Sequence, residues 1–194
     1  MGVSRQQAAE NRSAIVAAAE RLFRVHGVDA VGLTELMKAA GFTQGGFYNH
    51  FKSKDALVAA VLEKAMQDRA DSPNTDSLDT LAAVYLSAAH RDNVEAGCPL
   101  SGFAGDAPRL NDAARACYAH GLAAYLGRME RMVATEGAAP AQTRRDTLAA
   151  FSQMVGALVL SRAVAGADPA LADAILDAGR DSLAAGRGDP VAPA

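Results

Sequence analysis

Residues 33–57 read LTELMKAAGFTQGGFYNHFKSKDAL, which predicts two short helices, a tight turn between them and an aromatic, basic segment. Leu33, Leu36 and Met37 recur at i, i+3 and i+4, the spacing of an apolar stripe on one face of a helix. Gly41 follows where a helix has to end in the left-handed conformation, which glycine adopts without steric cost. This layout is typical of a helix-turn-helix, which lays one helix in the major groove of DNA.

The second half of this stretch carries polar groups and bare backbone. Thr43 is a good N-cap for the second helix, and Gly45 and Gly46 let a helix N-terminus come close to a phosphate or a base edge. Each glycine costs the helix about 1 kcal/mol relative to alanine, so the helix depends on its neighbours. Phe47 and Phe51 are four apart and are expected to point inward.

A set of polar or glycine residues is therefore predicted to contact DNA. Those expected to approach bases or the groove edge are Thr43, Gln44 and Gly45. Those expected to hold phosphates are Tyr48, His50, Lys52 and Lys54, with help from Thr34. The alternative interpretation of the stretch is a surface helical hairpin with a few aromatic residues in its core.

The whole run resembles the N-terminal domain of the TetR family of bacterial transcriptional repressors. The matching residues in the motif are Thr34, Ala40, Gly41, Thr43, Gly45, Phe47, Tyr48, His50, Phe51, Lys54 and Leu57. A predicted first helix and its closing glycine match through Arg12, Ile15, Ala18, Ala19, Leu22, Phe23 and Gly27. The resemblance covers residues 10–60 closely, whereas the rest matches only in being helical and of the right length.

The predicted fold class is all-α, with about nine helices across two domains. Residues 1–70 are predicted to form a three-helix helix-turn-helix domain with a linking helix, and residues 71–186 a helical domain. The resemblance implies ligand binding and dimerisation for this second domain. Residues 187–194 are predicted to be a disordered tail. Half of the residues are hydrophobic but only 5% are aromatic, which suits close-packed helices better than a sheet.

The charge is unevenly distributed along the chain. Residues 1–54 have a net charge of +3, whereas the remainder has a net charge of −6, so a basic head adjoins an acidic body. This arrangement places the attraction for phosphate where a duplex would lie. The chain lacks a run of 18 apolar residues and a signal-peptide core, so we expect a cytoplasmic protein without a membrane partner.

The last two predicted helices indicate a dimer. They carry apolar residues on more than one side, and such a helix has to be buried on more than one side. The predicted dimerisation residues are Phe151, Val155, Leu158, Val159, Arg162, Leu171, Ile175 and Leu176. The family resemblance implies a four-helix homodimer interface, and its recognition helices would meet an inverted-repeat operator about 34 Å apart. The alternative is that these helices only close the core of the monomer.

A small-molecule effector is implied by the resemblance, since TetR-like regulators usually have a pocket among their central helices. Candidate pocket residues are Tyr85, Cys98, Phe103, Tyr118, His120, Leu122, Tyr125, Met129, Phe151 and Met154. Their mix of apolar and polar groups suits a small, largely apolar or aromatic compound. The alternative for each of them is ordinary core packing.

Cys98 also suggests an electrophilic effector. It lies between Gly97 and Pro99 at a predicted helix N-terminus, where the helix dipole favours the reactive thiolate. Some TetR-like regulators carry a cysteine in a similar segment and respond to oxidants or electrophiles. The alternative is a small buried residue.

Metal and enzyme hypotheses find little support. Cys117 and His120 are three apart and could share a metal, but no further ligand has matching spacing, so no metal or other cofactor is expected. Walker, dinucleotide, nucleophile-elbow and HExxH motifs are absent from the sequence. We therefore predict a ligand-responsive repressor, not an enzyme. The alternative is a small-molecule-binding or enzymatic helical protein with a vestigial DNA-binding head.

Overall fold

The computed structural model describes residues 4–72, 77–134 and 138–185, and in these residues all regular elements are helices. The α-helices are α1 (Arg5–His26), α2 (Leu33–Ala39), α3 (Lys54–Asp71), α4 (Leu78–Tyr85), α5 (Ala88–Asp92), α6 (Pro99–Gly102), α7 (Asp112–Val133), α8 (Pro140–Val164) and α9 (Pro169–Ala185). Two 3-10 helices span Gln44–Asn49 and Ala107–Arg109. The all-α prediction is confirmed, whereas the predicted tail, residues 187–194, lies outside the described residues.

Short polar side chains begin several of these helices. Ser53 Oγ accepts a hydrogen bond from Ala56 N at 3.1 Å at the start of α3, and Asn111 Oδ1 accepts one from Ala114 N at 3.0 Å at the start of α7. Serine and asparagine are among the residue types that most often cap helices. Each satisfies an N–H group that has no partner inside its helix.

One predicted helix is broken in the structure. The apolar pattern predicts a continuous helix over residues 77–93, but α4 ends at Tyr85 and α5 begins at Ala88. Ser87 lies at the break: its hydroxyl donates to Val84 O at 2.8 Å and accepts from His90 N at 3.1 Å. The Ser87 side chain thus bonds to the end of α4 and caps the start of α5. Serine can break a helix in this way because its hydroxyl competes with the backbone for hydrogen bonds.

The chain forms two compact units, Met1–Ser72 with Val94–Leu122 and Pro73–Asn93 with Ala123–Ala194. This division differs from the predicted boundary at residue 70, because Val94–Leu122 pack with the head. Asp106 shows the reason: its carboxylate accepts a hydrogen bond from Val28 N just beyond α1, at 3.4 Å. Because the two residues are 78 positions apart, no local sequence pattern indicates that they are in contact.

The core of the first unit joins α1, α2 and α3 to the 3-10 helix between α2 and α3. Its fully buried apolar side chains include Ile15, Phe23, Leu36, Met37, Phe47, Leu57 and Leu62. Each of these elements therefore contributes at least one fully buried apolar side chain to the core of this unit.

The core of the second unit is built mainly by α8 packed on α9, with α4 and α5 against them. Gly179 permits a close approach on α9, because an added Cβ would lie 3.0 Å from Leu86 Cδ1 and 3.1 Å from the Ala157 Cβ. By length and composition α8 could cross a membrane, which is weak evidence, since core helices pass the same test. Phe151, Met154 and Leu158 of α8 are buried in this unit, so packing accounts for part of its apolar character.

Candidate nucleic-acid interface

The turn after α2 has the geometry that the sequence predicts. Gly41 has a φ of +84°. Its N–H donates to Lys38 O at 3.0 Å, while Phe42 N–H donates to Met37 O at 2.8 Å. This pair of bonds is a Schellman motif, which satisfies the last carbonyls of a helix and needs a left-handed residue. Gly41 therefore ends α2 and directs the chain into the second helix of the motif.

That second helix, Gln44–Asn49, is called the recognition segment here, and it is a 3-10 helix of six residues. Its two glycines and its short length disfavour a full α-helix. Thr43 occupies the predicted N-cap position, but its side chain makes no hydrogen bond to the N–H groups of this described segment. The predicted N-cap position of Thr43 is thus confirmed, and the contact is made by its backbone, since its carbonyl accepts from Gly46 N at 3.0 Å.

Aromatic side chains fix the inner side of the recognition segment. Phe47 is fully buried and stacks on Phe51 with ring centroids 5.8 Å apart. The Tyr48 ring meets Phe47 edge-on at 5.2 Å but is itself 68% exposed. Phe47 thus anchors the recognition segment in the core, whereas the Tyr48 side chain is exposed to solvent.

The predicted DNA-contacting residues share one region of the first unit, but they differ in exposure. The exposed ones are Thr34, Thr43, Gln44, Gly45, Tyr48 and Lys52, and the half-buried ones are His50 and Lys54. Lys54 Nζ lies 5.9 Å from the centre of the Phe23 ring, and the His50 ring lies 6.4 Å from the Phe42 ring. The contribution of these eight residues to DNA binding stays a prediction.

Two contacts near the recognition segment are not predicted by the sequence. Thr34 Oγ1 donates a hydrogen bond to Gln44 Oε1 at 2.8 Å, joining α2 to the recognition segment. The exposed Arg12 guanidinium lies 4.7 Å above the centre of the Phe51 ring, a cation–π contact that holds a positive charge beside the motif. The residue types are compatible with such contacts, but their pairing depends on how the helices pack.

A buried arginine, also missed by sequence analysis, ties α1 to the segment before α6. The Arg24 side chain is 5% exposed, donates to Gly97 O and forms an ion pair with Glu20. The i, i+4 spacing of Glu20 and Arg24 is visible in the sequence. The contact with Gly97, 73 residues away, is not.

The predicted pocket residues fall in both units, and their role remains a prediction. Those in the first unit are Cys98, Phe103, Tyr118, His120 and Leu122, and those in the second are Tyr85, Tyr125, Met129, Phe151 and Met154. A cavity of about 240 Å³ in the second unit is lined by Ala88, Asp173, Leu176, Asp177 and Arg180, none of which was predicted to bind ligand.

Aromatic contacts organise the pocket candidates of the second unit. The Phe151 ring lies 5.0 Å from that of Tyr125 and 6.1 Å from that of Tyr85, and Met129 and Met154 are fully buried. In the first unit, Tyr118 Oη donates to Leu100 O at 2.6 Å. Burial raises the pKa of Tyr118 above its ordinary value, and the charge of Cys98 raises it further.

Cys98 and Cys117 form no disulfide in the described residues, and both are half-buried. Cys98 occupies the N-cap position of α6, as predicted, although α6 has only four residues. Its carbonyl accepts a hydrogen bond from Ser101 Oγ at 3.1 Å. Within residues 4–72, 77–134 and 138–185, no group of three or more His, Cys, Asp and Glu side chains could hold a metal.

The predicted dimerisation residues divide by exposure. Phe151, Leu158 and Leu176 are buried within the second unit, whereas Val159 is 42% and Leu171 47% exposed. Val155, Arg162 and Ile175 are half-buried. The Arg162 guanidinium donates to Arg91 O at 3.0 Å and to His90 O at 2.8 Å, so it holds α5 against α8.

Comparison with known proteins identifies the motif. Residues 15–61 match the family model of bacterial regulatory proteins, tetR family. The regulator AcrR of Shigella flexneri is 43% identical over 60 residues, which are 31% of this chain and 28% of AcrR. The repressor NemR of Escherichia coli K12 is 38% identical over 55 residues, 28% of each chain. The chain thus aligns with less than a third of either relative.

Solved structures extend the likeness to the whole fold. The reduced form of E. coli NemR has a TM-score of 0.68 at 18% identity, over 89% of this chain and 95% of NemR. A tetR-family regulator from Streptomyces coelicolor has a TM-score of 0.69 at 23% identity, over 95% of this chain and 81% of that chain. Residues 15–61 of this protein therefore match the tetR family of bacterial regulatory proteins, and the chain is similar in fold to solved structures such as the tetR-family regulator from S. coelicolor.

Proposed function

We propose that this protein is a dimeric, DNA-binding transcriptional repressor that leaves an inverted-repeat operator when a small molecule binds. The exposed polar side of the recognition segment carries the proposal. Phe47 is buried beneath the segment, while Thr43, Gln44 and Tyr48 remain exposed on it. The curated relatives that match the motif are transcriptional regulators and repressors, so a vestigial head is the less favoured hypothesis.

The chemistry of this surface suits a duplex. Gln44 and Thr43 offer hydrogen-bonding groups for base edges, and Tyr48 and Lys52 offer donors for phosphates. At Gly45, an added Cβ would meet no atom of the described residues within 4 Å, so DNA could approach the backbone closely. The curated relatives are transcriptional regulators, not enzymes, and the proposal assigns no catalytic residue. A DNA-binding role also implies a cytoplasmic location.

Selection from a randomised duplex library tests the proposal. The full-length protein is expected to enrich an inverted repeat whose half-site centres are about one DNA turn, roughly 34 Å, apart. Failure to enrich any sequence over a mock selection would contradict specific DNA binding. Enrichment of a single, unrepeated site would contradict the dimeric arrangement.

Base-reading and phosphate-holding roles make different predictions. We expect Gln44→Ala to lower discrimination at one base pair of each half-site by roughly tenfold, because a lost base contact costs about 1–3 kcal/mol. Lys52→Ala should instead weaken binding to all duplexes similarly and reduce the salt slope by about one per subunit. Fluorescence anisotropy over a series of salt concentrations measures both. The role assignment is wrong if the two variants change every duplex alike.

The dimer surface is proposed to include the exposed apolar residues of α8 and α9. Leu148 and Val159 are exposed on α8, and the half-buried Val155 lies with them on one side of the helix, at i+7 between i and i+11. Leu171 is exposed on α9. Exposed apolar clusters mark association surfaces in soluble proteins. Two helices from each subunit would bury these residues in a four-helix interface, in which each residue occurs twice.

Val159→Asp is expected to separate the dimer, because it places two unpaired charges in one apolar interface. The substitution should cost the dimer about 2 kcal/mol of binding free energy. Since roughly 1.4 kcal/mol corresponds to a tenfold change, the dissociation constant should rise at least about thirtyfold. Val84→Asp on α4 is the control, since Val84 is also exposed. Sedimentation velocity at micromolar concentration measures the outcome, and two variants of equal mass would contradict this interface.

The effector is proposed to be small and largely apolar, or electrophilic. The aromatic cluster of Tyr85, Tyr125 and Phe151 in the second unit supports an apolar ligand, and Cys98 at the start of α6 supports an electrophile. A true effector has to bind the free and the DNA-bound arrangements with different affinity. Candidates are therefore tested by their ability to release the enriched duplex, with Cys98→Ser as the control for electrophiles.

A further inference from the structure

The contact between Thr34 and Gln44 links the two helices of the motif on their exposed side. Thr34 lies in the first turn of α2 and Gln44 is the first residue of the recognition segment. Thr34 Oγ1 donates to Gln44 Oε1 at 2.8 Å, and both residues are exposed. This contact belongs to the surface that the proposed function assigns to DNA.

The hydrogen bond determines which groups remain available. A threonine hydroxyl has one proton to donate, and here Thr34 donates it to the Gln44 side chain. The same proton cannot also be donated to a phosphate, which is the role that the sequence predicts for Thr34. The Gln44 amide is held with its oxygen turned towards α2, so Nε2, which carries two protons, is left as its free donor.

The major-groove edges of guanine and adenine offer different hydrogen-bonding groups to a glutamine side chain. Guanine presents two neighbouring acceptors in the major groove, N7 and O6, whereas adenine presents the acceptor N7 beside the donor N6. Pairing with both groups of adenine requires the amide oxygen and nitrogen side by side on the base edge. Gln44 Oε1 keeps a second lone pair, but it is turned towards Thr34 on α2, so the amide does not present its oxygen and nitrogen side by side. An amide held in this orientation offers mainly its Nε2 donor and matches guanine better.

We propose that Thr34 is a positioning residue that makes Gln44 a donor and thereby selects guanine over adenine at one base pair of each half-site. The inference rests on the proposed function and deepens it. Thr34 is well placed for this task because its helix is anchored by the fully buried Leu36 and Met37. The amide is thus held from a rigid element.

Substitutions at Thr34 test the inference in the full-length protein. Thr34→Val replaces the hydroxyl by a methyl group and keeps the branched shape, whereas Thr34→Ser keeps the hydroxyl. Gln44→Ala identifies the base pair that Gln44 reads, because discrimination there is lost. Each variant is passed through the same randomised duplex library, and the guanine-to-adenine ratio is measured at that base pair.

We expect the wild type and Thr34→Ser to prefer guanine, and Thr34→Val to shift the ratio towards adenine by roughly five- to tenfold, as expected for one base-edge hydrogen bond. Thermal unfolding of Thr34→Val checks that the exposed substitution leaves the fold intact. An unchanged ratio in Thr34→Val overturns the inference, as does a wild-type preference for adenine or a Gln44→Ala variant that alters no base pair. A wild type that enriches no sequence instead overturns the proposed function itself.

Discussion

Phe47→Ala is expected to destabilise the first unit by about 3–5 kcal/mol and to abolish specific DNA binding. Phe47 is fully buried and stacks on Phe51. The recognition segment around it contains Gly45 and Gly46, so its own helix propensity contributes little. Since domains of this kind are stable by about 5–15 kcal/mol in total, the loss of this anchor removes a large fraction.

Tyr48→Ala is the matched control, because Tyr48 is the neighbouring aromatic residue and is 68% exposed. It should weaken DNA binding through a lost phosphate contact and leave the free energy of unfolding within about 1 kcal/mol. Urea unfolding followed by circular dichroism separates the two variants. If Phe47→Ala were as stable as Tyr48→Ala, the recognition segment would not depend on its aromatic anchor.

Gly121→Val is expected to lower the free energy of unfolding by about 1–3 kcal/mol, the usual cost of overpacking. An added Cβ at Gly121 would lie 2.5 Å from both Cγ and Sδ of Met66 and 3.0 Å from its Cβ. Met66 is buried on α3, so its side chain has little room to move. The close approach of α7 to α3 in the first unit therefore requires a residue without a side chain.

Gly127→Ala, in the same helix, is expected to raise the free energy of unfolding instead. No atom of the described residues lies within 4 Å of an added Cβ there, so the change should stabilise α7 by about 0.5–1 kcal/mol. Urea denaturation of both variants measures the difference. Similar destabilisation by the two changes would mean that the contact with Met66 is not what makes Gly121 necessary.

Local signals explain what could be predicted from the sequence. Gly41 ends α2, Ser53 begins α3 and Asn111 begins α7 because each residue type satisfies backbone groups of its immediate neighbours. Phe47 and Phe51 are four apart, which is enough to turn both inward. The motif could be predicted because its signals lie within a few residues of one another.

Competing local choices and distant contacts explain what could not be predicted. The break between α4 and α5 depends on Ser87 bonding to the backbone on both sides, which the apolar pattern of that stretch does not show. The contacts of Arg24 with Gly97 and of Asp106 with Val28 join residues more than 70 positions apart. An effector site is equally hard to predict from the sequence, because the candidate residues fall in both units and lack a common local pattern.

The relatives show the same asymmetry. Residues 15–61 match a family model, whereas over 90–95% of the chain the solved structures agree in fold at only 17–23% identity. The curated relatives likewise align with this chain over only 55–60 residues that include the motif. The head therefore supports a specific functional proposal, and the second unit supports only the chemical class of an effector.

Fluorescence anisotropy of the full-length protein with the enriched duplex and with a shuffled duplex of equal composition tests the proposed DNA-binding function most directly. The account predicts that the enriched duplex binds at least about a thousandfold more tightly, with an affinity that falls as salt rises. Phe47→Ala should lose this difference between the two duplexes. Equal affinity of the wild type for both duplexes would contradict the proposal that the recognition segment reads sequence.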